Sequence, residues 1–304
     1  MIEYLEQLVE EKKYREALDL AERLIKQVED PHQVVRIYAA RVVSHCRLGE
    51  FSEALPGGDF ALHLARELGD WDSFGMLALY VGVAYSRLGQ LNEAVTRMYD
   101  YLAGLGNYRK AAEFEYNAWY NLGTFQVMLN KPVDAAKALA NALKAALRNG
   151  EHRYAHGVRQ ALVDAYLRAE MYESVPRLLV QCGHYLRKHP ELPLYNMSLA
   201  NHIQLRGEYA LVTGRATRAK ALASRALSKL RGEPYECLPH LVLAKVAQRN
   251  GVYQEALGHA LAARTCALVG RRTDFEQMAS DLLYELTRAY PGAIEMVDQY
   301  YTDS

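Results

Sequence analysis

The sequence predicts an all-α fold built from stacked helical hairpins. Two observations predict it. A turn residue followed a few positions later by a small residue recurs about every 40 positions. On both sides of that turn, apolar residues return every three or four positions, the helical period rather than the alternation of a strand.

The recurrences run in order along the chain. Lys13-Tyr14-Arg15-Glu16-Ala17 comes first, then Gly49 to Ala54, Gly89 to Ala94, Asn130 to Ala135, Glu170 to Val175, Gly214 to Ala219 and Gly251 to Ala256. The closing residues 17, 54, 94, 135, 175, 219 and 256 are separated by 37, 40, 41, 40, 44 and 37 positions. Gly or Asn at the turn suits the left-handed backbone that ends a helix. The small residue after it allows the second helix to lie close to the first. Before the turn, Leu79, Gly82, Val83 and Tyr85 form one helical stripe; after it, Ala135, Ala138, Leu139 and Ala142 form another. A single hairpin cannot bury its apolar face, so neighbours must stack.

The repeats divide residues 1–270 at about 1–31, 32–70, 71–108, 109–149, 150–190, 191–232 and 233–270. Residues 1–31 form an opening hairpin with a short first helix. Pro190, Pro193 and Pro234 fall at boundaries, where proline is tolerated or stops a helix. Thr273-Asp274-Phe275-Glu276 has capping-box spacing, so a last helix is expected from Thr273 to about Tyr290. Residues 271–304 then cap the solenoid, hiding its final apolar face. Pro56-Gly57-Gly58 breaks the pattern inside a second helix, and a kink or interruption is expected there.

Composition narrows the function. The 304 residues hold 36 Lys+Arg and 36 Asp+Glu, and half are hydrophobic. A neutral chain lacks the cationic excess that drives general binding to a nucleic-acid backbone. Cys46, Cys182, Cys237 and Cys266 are far apart with no C-x-x-C pair, so reduced thiols are expected. Met1 to Glu6 is charged and amphipathic, unlike a secretory signal, and no run of 18 apolar residues occurs. The expected location is the cytoplasm, with no membrane partner.

The repeat resembles the tetratricopeptide (TPR) family. Trp119, Leu122, Gly123, Ala135, Leu139 and Ala142 carry the likeness in one repeat, and Gly82, Tyr85, Leu88, Gly89 and Ala94 in the one before. The resemblance covers about residues 1–270 and implies a right-handed superhelix of about seven hairpins. The period exceeds the family's usual 34 residues. Long repeats of this kind are similar to those of the bacterial Rap and RNPP peptide-pheromone receptors. The repeats begin within the first 20 residues, so no preceding DNA-binding domain is expected. The likeness is therefore to Rap-type adaptors, although no separate N-terminal bundle is evident.

In TPR proteins the first helix of each hairpin lines the concave surface. On those helices Asn117, Tyr120, Asn121 and Thr124 stand opposite the packing side. Gln160, Asp164 and Arg168 follow in the next repeat, then Asn201, Gln204 and Glu208, then Lys245, Gln248 and Arg249; Arg36, Tyr80 and Arg87 belong to earlier repeats. A side-chain amide both donates and accepts, which suits the backbone of an extended peptide. The competing reading makes these residues the wet faces of amphipathic helices. Arg47, Arg87, Arg168 and Arg249 each precede a turn residue by two positions and could form a carboxylate-binding column. Their other reading is contact with helix-end carbonyls. Arg36 is followed four residues later by Ala40, so the Lys/Asn clamp of chaperone-binding TPR proteins is not reproduced. Tyr80 and Tyr120 are the aromatics best placed to anchor a partner.

Catalysis is not expected. His152 and His156 share a helical face without a third ligand, and neither a phosphate-cradling glycine loop nor a nucleophile signature is present. No metal or cofactor is implied. The expected function is capture of a peptide or partner protein in the groove, as a regulatory or signalling-peptide adaptor. The alternative is a self-associating assembly scaffold, and homodimerisation stays open.

Overall fold

The computed structural model describes residues 1–107, 111–193, 195–230, 236–269, 273–290 and 292–297; the side chains of 111–114, 273 and 274 lie outside the description. The expected boundaries near 108, 232 and 270, and with them Pro234, fall outside the described residues. Every described regular element is helical. The chain divides into two compact units, Met1–Val158 and Arg159–Ser304.

The first unit contains α1 (Ile2–Glu10), α2 (Tyr14–Leu24), α3 (Pro31–Leu48), α4 (Phe51–Leu68), α5 (Trp71–Arg87), α6 (Leu91–Ala103), α7 (Ala111–Met128), α8 (Pro132–Arg148) and the start of α9 (His152–Arg168). Within it α3 pairs with α4, α5 with α6 and α7 with α8, while α1, α3, α5 and α7 touch in sequence. The second unit holds the remainder of α9, then α10 (Val175–Lys188), α11 (Tyr195–Val212), α12 (Ala216–Leu230), α13 (Cys237–Arg249), α14 (Tyr253–Val269) and α15 (Thr273–Ala289). Here α11 pairs with α12 and α13 with α14, and α11, α13 and α15 follow one another side by side. Residues 293–297 add a short helical turn.

The turn residues take the backbone geometry their positions require. Gly49 (φ 81°), Gly89 (79°), Asn130 (55°), Gly214 (81°) and Gly251 (73°) are all left-handed, and so are Lys12 (63°) and Glu170 (58°). The small residues beyond the turns are sealed: Ala17, Ala54, Ala94, Ala135, Val175, Ala219 and Ala256 are at most 1% exposed. Gly123 shows how close the helices come. A methyl group there would lie 2.6 Å from Leu139 Cγ and 3.2 Å from the Ala135 carbonyl oxygen.

Pro56-Gly57-Gly58 does not interrupt its helix. α4 runs unbroken from Phe51 to Leu68 with Pro56 inside it. The glycines are explained by packing on both flanks. A Cβ on Gly57 would meet the Tyr38 ring at 2.7 Å, and one on Gly58 would meet Val81 Cγ2 at 2.6 Å. Helix propensity is given up where α3 and α5 press against α4.

α15 begins at Thr273, as the capping-box spacing expects, and ends at Ala289. The cap's own side chains and Pro291 fall outside the described residues. None of the four cysteines is in a disulfide. Burial pushes the thiols of Cys46 and Cys182 up to about 12. Among the described residues, no helix is long and apolar enough to cross a membrane.

Candidate functional site

In the first unit, α7 carries the amide group that the sequence singles out. Its packing side is fixed by Leu122 and Gln126, 1% and 5% exposed. Gln126 Nε2 donates to the Tyr99 hydroxyl at 3.3 Å. The other side presents Asn117 and Asn121, one turn apart and both half-buried. Neither amide side chain forms a hydrogen bond to a described residue. The Asn121 backbone carbonyl does accept from the Thr124 hydroxyl at 2.9 Å.

Beside these amides stands an aromatic group. Tyr154 of α9 meets Tyr116 edge-on with ring centroids 4.4 Å apart, and Tyr120 edge-on at 5.6 Å. Burial raises the Tyr120 phenol. It also raises that of Tyr154, helped by Tyr120 and Tyr116. These hydroxyls stay protonated across the physiological range and remain donors. Sequence reasoning found Tyr120 but missed Tyr116 and Tyr154. Tyr154 lies at the start of the next repeat, and only the packing of α9 on α7 brings it to Tyr120.

Elsewhere in this unit the predicted residues are already engaged. Arg36 forks onto Glu6, with Nε–Oε1 at 2.8 Å and Nη2–Oε2 at 2.7 Å. The Tyr80 hydroxyl accepts from Arg47 Nη2 at 2.9 Å, and the Arg47 guanidinium lies 5.6 Å from the Tyr80 ring centroid. Arg87 is exposed. Internal pairing thus occupies Arg36 and Tyr80 where the sequence left them open to a guest.

The second unit gathers its predicted residues into a polar strip across α9, α11 and α13. Gln160 and Gln204 are buried, 6% and 4% exposed, which corrects the expectation that they face an open groove. Gln160 is a brace: Nε2 donates to the Ser198 carbonyl at 2.8 Å, and Oε1 accepts from Asn201 Nδ2 at 3.3 Å. A buried amide left without partners would be costly, so the pair is read as structural.

Charge follows on the same strip. Arg168 Nε meets Asp164 Oδ2 at 3.0 Å. The Glu208 carboxyl is raised, first by burial and then by Asp164; Lys245, Arg168 and a hydrogen bond from Gln204 oppose that rise. Two acids and two bases therefore share one neighbourhood and offset one another. Arg249 Nη1 donates to the Leu211 carbonyl at 2.6 Å, in the last turn of α11. That contact is the helix-end reading of the arginine column, and Arg249 is not held out for a carboxylate. Among the described residues, no group of three or more metal-ligating side chains is assembled.

No protein-family model and no curated protein matches the chain. Solved structures do. NprR in complex with its cognate peptide NprX matches with TM-score 0.68 at 11% identity, covering 98% of this chain and 87% of that one. A Rap protein complexed with Competence and Sporulation Factor matches with TM-score 0.60 at 11% identity, covering 99% and 92%. A tetratricopeptide repeat protein from Parabacteroides merdae matches with TM-score 0.59 at 14% identity, covering 92% and 97%. These likenesses, with the left-handed turns and sealed small residues described above, establish the fold as that of the tetratricopeptide-repeat helical solenoids.

Proposed function

We propose that the chain is a non-catalytic binding protein that takes an extended peptide, or an extended segment of a partner protein, on the face formed by its first helices. One observation carries the proposal. Asn117 and Asn121 lie one turn apart on α7, half-buried and without side-chain partners among the described residues, next to the Tyr116/Tyr120/Tyr154 cluster. Amides at that spacing can pair with a peptide backbone, while the aromatic edges supply area for an apolar side chain. The fold is shared with NprR and Rap, whose structures hold NprX and Competence and Sporulation Factor, and this supports the finer reading of a regulatory, signalling-peptide adaptor working in the cytoplasm.

A photo-crosslinking amino acid at position 117, used in the native cell, would identify the guest. Its affinity is then measured against wild type and Asn121→Ala. Loss of one or two amide hydrogen bonds should weaken binding roughly 3- to 30-fold, with the circular dichroism spectrum and melting temperature unchanged. Unchanged affinity would remove the site.

A second reading, self-association into an assembly, has its own support. Val269, Tyr284 and Ile294 are 78%, 64% and 62% exposed near the C-terminal end. Sedimentation velocity at low micromolar concentration tests it: a dimer that Tyr284→Ser and Ile294→Ser dissolve favours the assembly, and a monomer excludes it at that concentration.

A further inference from the structure

A second polar site lies on another flank of α11. His202, Arg206 and Tyr209 line it there, whereas Asn201, Gln204 and Glu208 occupy the strip already described. The site is a cleft of about 300 Å³ between α10, α11 and α12. Pro176, Leu179 and Val180 give it an apolar wall, and Arg187, Arg206, Arg215 and Arg218 supply positive charge. No carboxylate is among its described lining residues. None of these arginines forms an ion pair with a described residue.

The cations share the cleft's lining, Arg187, Arg215 and Arg218 exposed and Arg206 half-buried. Gly183 of α10 makes space for them: a methyl group there would lie 3.1 Å from His202 Nε2 and 3.6 Å from Arg187 Nη1. Arg215 is held in place, its Nε donating to Thr213 Oγ1 at 3.2 Å and its guanidinium 5.6 Å from the Tyr209 ring centroid. Arg206 is the least exposed of the four. Its guanidinium is held below its usual value by burial, then by the charges of Arg218, Arg225 and Arg187. Like charges gathered in a partly desolvated cleft oppose folding unless a counter-charge is supplied. In a chain with no net charge, this local excess is not a by-product of composition. The N-terminal end of α12 adds its helix dipole in the same sense.

We infer that this cleft is a binding site for a small molecule bearing a multiply charged phosphate group, held by Arg187, Arg206 and Arg218. Guanidinium forks match phosphate oxygens in pairs, and the volume admits a compact metabolite rather than a length of chain. The site is separate from the peptide face proposed above and does not depend on it.

Isothermal titration of the full chain with inorganic pyrophosphate in 100 mM sodium chloride tests the assignment. One molar equivalent should bind. Arg206→Gln and Arg218→Gln should each weaken it about tenfold or more, the loss expected for one charge-assisted pair. Lys229→Gln removes an exposed charge from the same helix outside the cleft and should change affinity less than twofold. Arg218 is exposed, so its variant remains informative if Arg206→Gln folds poorly. Absence of binding, equal weakening by Lys229→Gln, or equally tight binding of tetraglutamate or a phosphoserine hexapeptide would overturn the proposal.

Discussion

His240 Nδ1 and His259 Nδ1 lie 3.0 Å apart, joining α13 to α14 inside the second unit. Only one of the two nitrogens can donate, so the contact requires at least one neutral ring. Burial, and then the His259 charge, depress the His240 imidazole to about 4; His259 is depressed chiefly by burial, against the pull of Glu255. An unfolded chain binds these protons at higher pH than the folded one, so stability is complete above about pH 6.5 and falls as pH drops toward 4. Both rings are partly exposed, so screening limits the His240 contribution to about 1–2 kcal/mol. Urea unfolding at pH 7.5 and 5.0 should show the loss, and His240→Asn should flatten it.

Helical glycines should separate into two classes. Gly123→Ala drives a methyl group against Leu139 and the Ala135 carbonyl, and should cost about 1–2 kcal/mol after the gain in helix propensity is allowed for. Gly157 of α9 is exposed, with nothing within 4 Å of an added Cβ. Gly157→Ala should stabilise by up to about 1 kcal/mol. Thermal melts of the two variants check both signs.

The Gln160 brace should matter to folding rather than to capture. Asn201→Ala removes one partner of a buried amide oxygen and should cost about 1 kcal/mol. Gln160→Leu also abandons the Ser198 carbonyl and should cost about 1–3 kcal/mol. Chemical denaturation measures both, and guest affinity at the α7 amides should not change.

Without phosphate, Arg206→Gln should raise the melting temperature by relieving repulsion from Arg218, Arg225 and Arg187. The gain should shrink in 1 M salt, where charges are screened within about 3 Å. A gain independent of salt would assign the effect to packing instead.

The fold could be read from the sequence because its signals are local. A left-handed residue at position 49 or 130 and a sealed alanine at 54 or 135 follow from spacing and side-chain size alone. The interruption expected at glycines 57 and 58 is absent, and their cause is non-local: a ring on α3 and a valine on α5. The site was only partly legible for the same reason. Helical spacing places Gln160 and Asn121 on comparable faces, but only Gln160 meets a carbonyl from a later helix, and no pattern within α9 announces that meeting. Arg187, Arg206 and Arg218 are scattered over three helices and become a cluster only when those helices pack.

Within each unit, most helix contacts run between sequence neighbours or to the next helix but one; the 3.5 Å contact of Arg168 Nη2 on α9 with Met278 Sδ on α15 is an exception. Damage should therefore stay where it is inflicted. A protease nicking the exposed joints should release fragments differing by about one repeat, each surviving piece keeping its shape while its neighbours persist.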